Sequence, residues 1–292
     1  MIFALSFFAG LAFAFIISKF GYKLGLVDLP SARSSHDKPI PKSGGIGIPI
    51  AVGLTTFLFI NAIHFLVALS LFLGLMAFIN DKTEISVNFR LSLHFALGFV
   101  LIMVYKKGII YYFASDYFRI MQAIFIATLL SIYIVATTNF FNFMDGINGI
   151  AGFEAVISYI FLGIFALHYK NLPEISLVAF SVALASTGFL LMNFPKANVF
   201  MGDVGSIFIG FFFAGLVVYL SANIKELLLL SVFQGLFYID CTSTIFVRLI
   251  NRENILKAHK KHLYQKFVHC LGWTHPKVTV YYSLVQLLIC LL

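Results

Sequence analysis

The stretch Thr138–Gly152, which reads T-N-F-F-N-F-M-D-G-I-N-G-I-A-G, places polar residues between two strongly apolar segments. Asn139, Asn142 and Asp145 recur every third residue, so in a helix they fall within about 120° of one face. Gly146 and the glycine three residues later weaken the helix and let the backbone approach a bound group. Polar side chains at the mouth of a membrane helix are too costly to serve packing alone. The stretch therefore predicts a functional site.

The composition is that of a polytopic membrane protein. The 292 residues are 61% hydrophobic and only 11% charged, whereas a soluble domain carries about 25% charged residues. The formal net charge of +8 suits basic residues that face the cytoplasm and anionic membrane lipids. Because this charge is not gathered into a soluble basic domain, nucleic acid is not expected as a partner. Three scattered cysteines indicate packing or reduced thiols rather than a metal site or a disulfide.

Apolar runs near the length of a membrane span predict an all-α fold with about ten transmembrane helices, in a single integral-membrane domain over residues 1–292. The predicted spans are Ile2–Ser18, Gly45–Asn61, Phe65–Ile79, Leu91–Tyr105, Ile120–Thr137, Ile150–His168, Ile175–Met192, Val204–Leu220, Leu227–Ile250 and Val278–Leu292. The last run has 15 residues, or about 22 Å of helix against a ~30 Å apolar core. One interpretation of this short run is a truncated chain.

The distribution of basic residues predicts the orientation. Fifteen of the 20 Lys and Arg residues fall in connections on one side of the predicted bundle and five on the other. The richer side is therefore predicted to be cytoplasmic, with both termini outside. Five polar segments fall on that same side: Asp28–Gly45, Asn80-Asp81, Thr138–Gly152, Met201-Gly202-Asp203 and Lys257–Gln265. Their clustering predicts one composite site on the cytoplasmic face.

Carboxylates at two span ends are candidate metal ligands. Asn80 and Asp81 follow the third predicted span and could simply cap its helix. Alternatively, Asp81 binds a hard cation, because Mg²⁺ takes a few carboxylates and keeps its other positions for water and substrate phosphate. Asp203 opens the eighth span between two glycines. It could cap that helix, or hold a metal where phosphate meets backbone N–H groups.

Cationic residues in two other segments are candidate anion ligands. His259 and His262 belong to the sequence His-Lys-Lys-His. The alternative interpretation is a basic run after a span that sets orientation and contacts lipid. Zinc is disfavoured there, because no Cys or second His pair accompanies them. Arg33, His36 and Lys42 lie in a loop rich in Pro and Gly, and the simpler interpretation is a basic cytoplasmic loop.

Two more carboxylates lie inside predicted spans. Asp240 is in the ninth, and an intramembrane carboxylate suggests function. The alternative is that Asp240 only pairs with a cationic side chain near the helix end, such as Arg248. Glu154 begins the sixth span one to two turns after Asp145, where it either supports the site or packs at a helix interface.

Taken in chain order, these motifs resemble the polyprenyl-phosphate N-acetylhexosamine-1-phosphate transferase family, whose relatives include the phospho-muramoyl-pentapeptide translocase of peptidoglycan synthesis. The shared motifs are D-x-P-x-x-R-x-x-H-x-x-P-I-P-K-x-G-G, an acidic pair after the third span, N-x-x-N-x-x-D-G-x-x-G, M-G-D-x-G-S and H-x-x-H-L-Y-Q, between Asp28 and Gln265. The H-x-x-H-L-Y-Q motif is most similar to that of the bacterial branch that initiates the synthesis of surface glycans, such as the O-antigen of lipopolysaccharide.

The resemblance implies that undecaprenyl phosphate attacks a UDP-N-acetylhexosamine at the cytoplasmic face of a bacterial inner membrane, so that UMP leaves. Mg²⁺, or else Mn²⁺, is the implied cofactor, and a homodimer is left open. The implied catalytic residues are Asp81, Asp145 and Asn142, and the implied metal ligands are Asp203 and Asp81. The implied substrate contacts are Asn80, Asn139, Asn148, His259, His262, Arg33, His36 and Lys42.

Three departures from the family pattern leave other functions open. Asn80 stands where the family usually has Asp, Asn148 stands where many relatives have Asp, and the chain ends within the tenth span. An acceptor phosphate monoester loses its second proton near pH 6, so we expect activity to survive Asn80. The rivals are a non-catalytic relative and a secondary transporter of an anionic metabolite. A transporter would need polar groups near the midplane and broken helices, and only Asp240 is a candidate for such a group.

Overall fold

The fold follows from the need of a backbone in lipid to satisfy its own N–H and C=O groups, which a helix does within one segment. The computed structural model describes residues 1–30, 37–60, 62–83, 85–106, 117–257 and 259–292. Its helices are α1 (Ile2–Phe20), α2 (Gly47–Phe59), α3 (His64–Asn80), α4 (Val87–Tyr105), α5 (Tyr117–Met144), α6 (Ile150–His168), α7 (Pro173–Asn193), α8 (Gly202–Leu220), α9 (Ile224–Ser231), α10 (Gly235–Ile250), α11 (Leu263–His269) and α12 (His275–Leu291).

Short irregular elements complete the described chain. Single 3₁₀ turns precede α2 (Gly44–Ile46) and separate α9 from α10 (Val232–Gln234). The strands β1 (Val27–Asp28) and β2 (Ile40–Pro41) pair in antiparallel fashion. The ninth predicted span is therefore one continuous helical segment, Ile224–Ile250, that contains a single 3₁₀ turn.

Seven helical segments are long and apolar enough to cross a membrane, which confirms the prediction of an all-α polytopic membrane protein. They are Ile2–Phe20, Val87–Tyr105, Ile120–Met144, Ile150–His168, Pro173–Asn193, Gly202–Leu220 and Ile224–Ile250. Two shorter apolar helices, Gly44–Phe59 and His64–Asn80, coincide with the second and third predicted spans. The tenth predicted span is the 17-residue helix α12, which is less apolar than these nine.

Helix α8 lies at the centre of the bundle. In the most apolar stretch of α8, 89% of the residues are buried, compared with 22% in α1 and in α4. The helix packs most extensively against α3 and α5. A helix that is apolar on every side belongs in such a core. Because α3 and α5 end where α8 begins, the polar residues at these three helix ends meet at one end of the bundle.

The segment that precedes α2 is fastened to the start of α8. The backbone N–H groups of Gly44 and Gly45 donate to the carbonyls of Phe200 (2.8 Å) and Met201 (2.9 Å). The N–H of Phe200 in turn donates to the carbonyl of Pro41 at 2.8 Å. This ladder brings the residues just before Gly44 to the end of the bundle where α3, α5 and α8 meet.

Candidate active site

Three carboxylates from three helix ends form the centre of the site, and we call Asp81, Asp145 and Asp203 the carboxylate cluster. Asp81 follows α3, Asp145 follows α5, and Asp203 lies in the first turn of α8. The backbone N–H of Asp203 donates to Oδ1 of Asp81 at 3.4 Å, so Asp81 helps to cap α8. Asp81 and Asp203 are thus in direct contact, and Asp145 lies close enough for the charges of both to act on it.

Asp203 is held by donors from three other helices. Its Oδ2 accepts hydrogen bonds from Nη1 of Arg90 (3.0 Å) and Nδ2 of Asn80 (2.9 Å). Its Oδ1 accepts from Nδ2 of Asn142 at 3.0 Å. The bond from the guanidinium is charge-assisted and therefore stronger than a neutral hydrogen bond. The orientation of Asp203 is therefore fixed before any ligand arrives.

Asp81 is bound from the loop before α2. The Ser43 hydroxyl donates to its Oδ2 at 2.6 Å, and Nζ of Lys42 lies 3.9 Å from its Oδ1. Burial, and secondarily the charge of Asp203, raise the pKa of Asp81 to about 6, although Ser43 and Lys42 act in the opposite direction. Burial, followed by the charges of Asp203 and Asp81, also raises the pKa of Asp145 well above its usual range. Such crowding of acidic groups favours a bound cation.

The donor set suits a metal that shares its ligands with a substrate. No group of three or more His, Cys, Asp or Glu side chains that could hold a metal occurs within the described ranges. Asp81 and Asp203 nevertheless bring two carboxylates together, and a hard cation such as Mg²⁺ is often held by one or two carboxylates plus water and substrate phosphates. These two residues are therefore the pair that could hold a metal here.

Asn139 and Asn142 lie about one turn apart on the same side of α5, as their spacing predicts, but their contacts differ. Asn142 donates to Asp203 and also to the Ser206 hydroxyl (2.8 Å). Asn139 donates to the carbonyl of Val135 (2.7 Å) and lies 3.3 Å from Nδ1 of buried His94. Asn142 therefore belongs to the carboxylate cluster, whereas Asn139 lies one turn deeper in the bundle.

A narrow cleft lies beside Asp203 between α3, α4 and α8. Arg90, His94 and Asp203 form its polar end. The remaining wall is apolar and includes Leu73, Met76, Ala77, Phe89, Leu93 and Ile207. A cleft of this kind offers a charged end and an apolar flank to the same ligand.

Asn148 is bonded away from the carboxylate cluster. Its Nδ2 donates to the carbonyl of Pro195 (3.2 Å), and its own carbonyl accepts from the Thr279 hydroxyl (2.7 Å). These bonds tie the loop after α5 to α7 and α12, and a substrate contact of Asn148 stays a prediction. Arg33 and His36 lie outside the described residues, so their assignment also stays a prediction.

Asp240 pairs with His262, so the suggested pairing with Arg248 is wrong. Oδ1 of Asp240 lies 3.1 Å from Nδ1 of His262. Arg248 instead contacts Glu253 (3.2 Å) and the carbonyls of residues 254, 255 and 257. Glu154 is buried in α6, and its Oε1 has no hydrogen-bond partner within the described part of the chain.

Residues 259–265, which we call the histidine segment, contact the stretch Thr138–Gly152 through Tyr264. The Tyr264 hydroxyl donates to the carbonyl of Phe143 at 3.1 Å, two residues before Asp145. The ring of half-buried His259 lies 4.8 Å from that of buried His262. Burial, followed by the neighbouring His262 and Arg248, lowers the pKa of His259 to about 4. The segment is thus part of the same composite site.

Gly146 leaves space for that tyrosine. A Cβ at this position would lie 2.0 Å from the Tyr264 hydroxyl and 2.9 Å from Cζ. We expect Gly146→Ala to lower the free energy of unfolding by about 1–3 kcal/mol, as overpacking does. Tyr264→Phe alone should cost about 1 kcal/mol for the lost hydrogen bond.

The double variant Gly146→Ala/Tyr264→Phe should be more stable than Gly146→Ala alone, because it removes the clashing oxygen. Thermal melting of the purified protein in detergent measures all three variants. Melting-point losses that simply add would show that the Tyr264 hydroxyl does not set the requirement for glycine.

Arg90 and Ser43 are site residues that the sequence reasoning missed. Arg90 entered only the count of basic residues, and Ser43 is one of several serines in its loop. The available signal was the position of Arg90, the fourth residue of a mostly apolar helix (Val87–Tyr105), since an arginine there is rarely without a partner. Ser43 carries no comparable signal.

The model for glycosyl transferase family 4 matches residues 62–221, which is more than half of the chain and includes the whole carboxylate cluster. The chain is 29% identical over 273 residues to a probable undecaprenyl-phosphate N-acetylglucosaminyl 1-phosphate transferase of Bacillus subtilis (strain 168), covering 89% of this chain and 74% of the relative.

Two further relatives bear related names. A phospho-N-acetylmuramoyl-pentapeptide-transferase of Bartonella quintana (strain Toulouse) is 28% identical over 285 residues, covering 86% of this chain and 78% of the relative. An undecaprenyl-phosphate alpha-N-acetylglucosaminyl 1-phosphate transferase of Escherichia coli (strain K12) is 30% identical over 213 residues, covering 68% of this chain and 56% of the relative.

Proposed function

The chain belongs to glycosyl transferase family 4, and on that premise we propose that it transfers N-acetylhexosamine-1-phosphate from a UDP-sugar to undecaprenyl phosphate. An oxygen of the lipid phosphate attacks the sugar-bearing phosphorus. The bond from that phosphorus to the uridine-side phosphate oxygen breaks, and UMP leaves. The product is a lipid-linked diphosphate sugar.

The observation that carries this proposal is the convergence of the carboxylate cluster with cationic and amide donors inside the region matched by the family. Phosphoryl transfer needs positioning and charge neutralisation more than covalent chemistry from the protein. Arg90, Asn80 and Asn142 orient Asp203, while Ser43 and Lys42 orient Asp81. The names of the relatives, which specify undecaprenyl phosphate or a phospho-sugar, support the substrate class.

Mg²⁺ is the cofactor that we propose, with Asp81 and Asp203 as its protein ligands. These residues would hold an ion that, when bound, would neutralise negative charge on the diphosphate of the UDP-sugar. The acceptor phosphate is already mostly ionised at neutral pH, since its second pKa is near 6. The site therefore has no need of a strong general base.

We further propose that the reaction occurs on the cytoplasmic face of a bacterial inner membrane and begins a surface glycan such as O-antigen. The asymmetry of Lys and Arg supports the orientation through the positive-inside tendency. The form His-Lys-Lys-His-Leu-Tyr-Gln at residues 259–265 supports the pathway.

Release of UMP by the purified protein tests the proposed function. The assay supplies undecaprenyl phosphate in vesicles or detergent, Mg²⁺ and a panel of UDP-N-acetylhexosamines. Release should require both lipid and donor, stop with EDTA and return with added Mg²⁺. Absence of release from every donor, with a protein that melts cooperatively, would contradict the proposal and favour a non-catalytic relative.

Asn80→Asp tests whether the departure at this position disables the enzyme. Asn80 donates to Asp203 at 2.9 Å and accepts from the N–H of Ile85 at 3.0 Å. An aspartate would remove the first donor and place a like charge against Asp203. We therefore expect turnover at saturating Mg²⁺ to change by less than about tenfold, or one 1.4 kcal/mol step in the barrier. A rise of orders of magnitude would show that the enzyme lacks a base that Asp supplies.

A further inference from the structure

The narrow cleft beside Asp203 lies where two pairs of helices separate. Helix α3 packs mainly on α8 and α4 packs mainly on α5, whereas α3 and α4 make little contact with each other. Leu73, Ala77 and Ile207 line the cleft and are buried. Phe89 of α4 also lines it, but this residue is 52% exposed. The cleft therefore connects the buried side of α8 with the outer surface of the bundle.

The apolar wall of the cleft runs along the helices into the membrane. Leu73, Met76 and Ala77 recur at helical spacing on one face of α3, and Leu93 of α4 lies across from them in the same lining. Leu73 lies about two turns before the end of α3 (His64–Asn80), or about 10 Å at 1.5 Å per residue. The wall thus extends from the level of the carboxylate cluster into the apolar layer.

Arg90 has a donor to spare at the polar end of the cleft. Its Nη1 donates to Oδ2 of Asp203 at 3.0 Å. Its Nε is buried and has no hydrogen-bond partner within the described part of the chain. An unpaired donor on a buried cation is costly, and the planar guanidinium fork matches the oxygens of a phosphate. Arg90 is therefore suited to donate to an anionic ligand while it keeps Asp203 in place.

The acceptor of the proposed reaction combines the two properties that this cleft requires. Undecaprenyl phosphate carries a phosphate on a long apolar chain. A UDP-sugar instead carries uracil, ribose and a sugar, whose many polar groups need hydrogen-bond partners when they leave water. The polar residues that line the cleft are Arg90, His94 and Asp203, and the other lining residues are apolar. A nucleotide sugar would leave most of its polar groups unpaired there.

We propose that this cleft is the acceptor site, in which the lipid phosphate binds Arg90 and the first part of the polyprenyl chain lies along Leu73, Met76 and Leu93. The inference rests on the proposed function and adds to it the direction of entry, which is lateral and from the membrane. Arg90 offsets the charge of Asp203 at the point where the phosphate arrives. Because α3 and α4 make little contact, the cleft widens for the chain without loss of their main packing on α8 and α5.

Photolabelling of the unmodified full-length protein in detergent, without UDP-sugar, tests the site directly. The probe is a polyprenyl phosphate with a diazirine in its first isoprene unit, and the labelled residues are mapped by mass spectrometry. Labels should fall within residues 73–77 and 89–94. Undecaprenyl phosphate should compete at least about tenfold better than undecaprenol, since a hydrogen bond to a charged group contributes that much or more. Labels confined to other helices, or equal competition, would overturn the inference.

Arg90→Gln tests the contact with the phosphate. The concentration of undecaprenyl phosphate that halves labelling should rise at least about tenfold, and that of undecaprenol less than about threefold, because undecaprenol has no phosphate for Arg90 to bind. Lys82→Gln is the control, since its ammonium lies over the ring of Phe78, 5.4 Å from the centroid. Both values should stay within about threefold there. Equal effects of Arg90→Gln on the two competitors would show that Arg90 does not bind the phosphate.

Met76→Trp and Leu75→Trp form a matched pair that tests the apolar wall. Met76 lines the cleft, whereas its neighbour Leu75 is 57% exposed and is not among the lining residues. Met76→Trp should raise KM for undecaprenyl phosphate at least about tenfold and change KM for UDP-sugar less than about threefold. Leu75→Trp should leave both KM values near those of the unmodified protein. Parallel rises of both KM values in Met76→Trp would contradict a site for the acceptor alone.

Failure of this inference is distinguishable from failure of the proposed function, because labelling needs no turnover. UMP release together with labels outside the cleft would overturn the acceptor site and leave the transferase intact. Labels in the cleft without UMP release from any donor would uphold a site for a phosphate-bearing lipid and contradict the transferase.

Discussion

Asp203→Ala should reduce UMP release by at least about 10³-fold, since loss of the proposed metal ligand would remove several kcal/mol of transition-state stabilisation and each 1.36 kcal/mol is a factor of ten. Asp203 is the acceptor at which donors from α3, α4 and α5 converge. Without it, Arg90 loses its ionic partner and Asn142 loses one of its two acceptors. The substitution therefore removes a ligand and also disorders the groups around it.

The measurement is the initial rate of UMP release at saturating Mg²⁺, with melting temperature as a folding check. Asp203→Asn is the near-isosteric companion, and it should also lose most activity because the charge is absent. Glu226→Gln is the control, since Glu226 pairs with Lys170 at 2.6 Å in a different part of the bundle. Retention of more than a tenth of the activity in Asp203→Ala would exclude Asp203 as an essential metal ligand.

The sequence predicted that the three carboxylates lie on one face, because polar residues at the ends of spans must lie at one membrane surface or the other. Asp81, Asp145 and Asp203 each adjoin an apolar run, and the parity of the spans assigns them to one face. Which side chains then touch depends on the rotation of each helix about its axis. That rotation is set by packing around α8, which is buried on all sides, and an apolar run without an amphipathic stripe does not encode it.

Asn139 and Arg90 show the consequence. Three-residue spacing put Asn139 and Asn142 on one face, but the packing of α5 directs only Asn142 to Asp203 and leaves Asn139 beside His94. In the sequence, Arg90 was only one of the basic residues that indicate the cytoplasmic side, because its partner Asp203 lies 113 positions further along the chain. Contacts between distant segments follow from tertiary packing, and no local pattern reports them.

Asp240 illustrates the same limit within a shorter range. Arg248 is two helical turns away and seemed the natural partner, whereas His262 is 22 positions away across a loop. The loop folds back because Arg248 binds the carbonyls of residues 254, 255 and 257. Arg248, which the sequence suggested as the partner of Asp240, thus shapes the turn that brings His262 close to Asp240.

Gly202→Ala should abolish at least about 99% of the activity, which is close to 3 kcal/mol of transition-state stabilisation, because this glycine is where the loop before α2 meets the carboxylate cluster. Its φ of +75° is unfavourable for residues with a Cβ. An added Cβ would lie 2.5 Å from the backbone N and 2.7 Å from Cα of Ser43, and 2.8 Å from Oδ2 of Asp81. Two of these atoms are backbone, so relief requires that the loop or Asp81 move.

Gly272→Ala is the matched control that isolates the clash from the backbone strain. Gly272 also has a positive φ, +66°, but a Cβ there would meet nothing within 4 Å. Both substitutions should cost about 1–2 kcal/mol for the left-handed conformation, which melting temperatures would report. Only Gly202→Ala should lose UMP release, while Gly272→Ala should stay within threefold of the unmodified protein. Equal losses in the two variants would mean that backbone strain, and not contact with Ser43 and Asp81, explains the need for glycine at the start of α8.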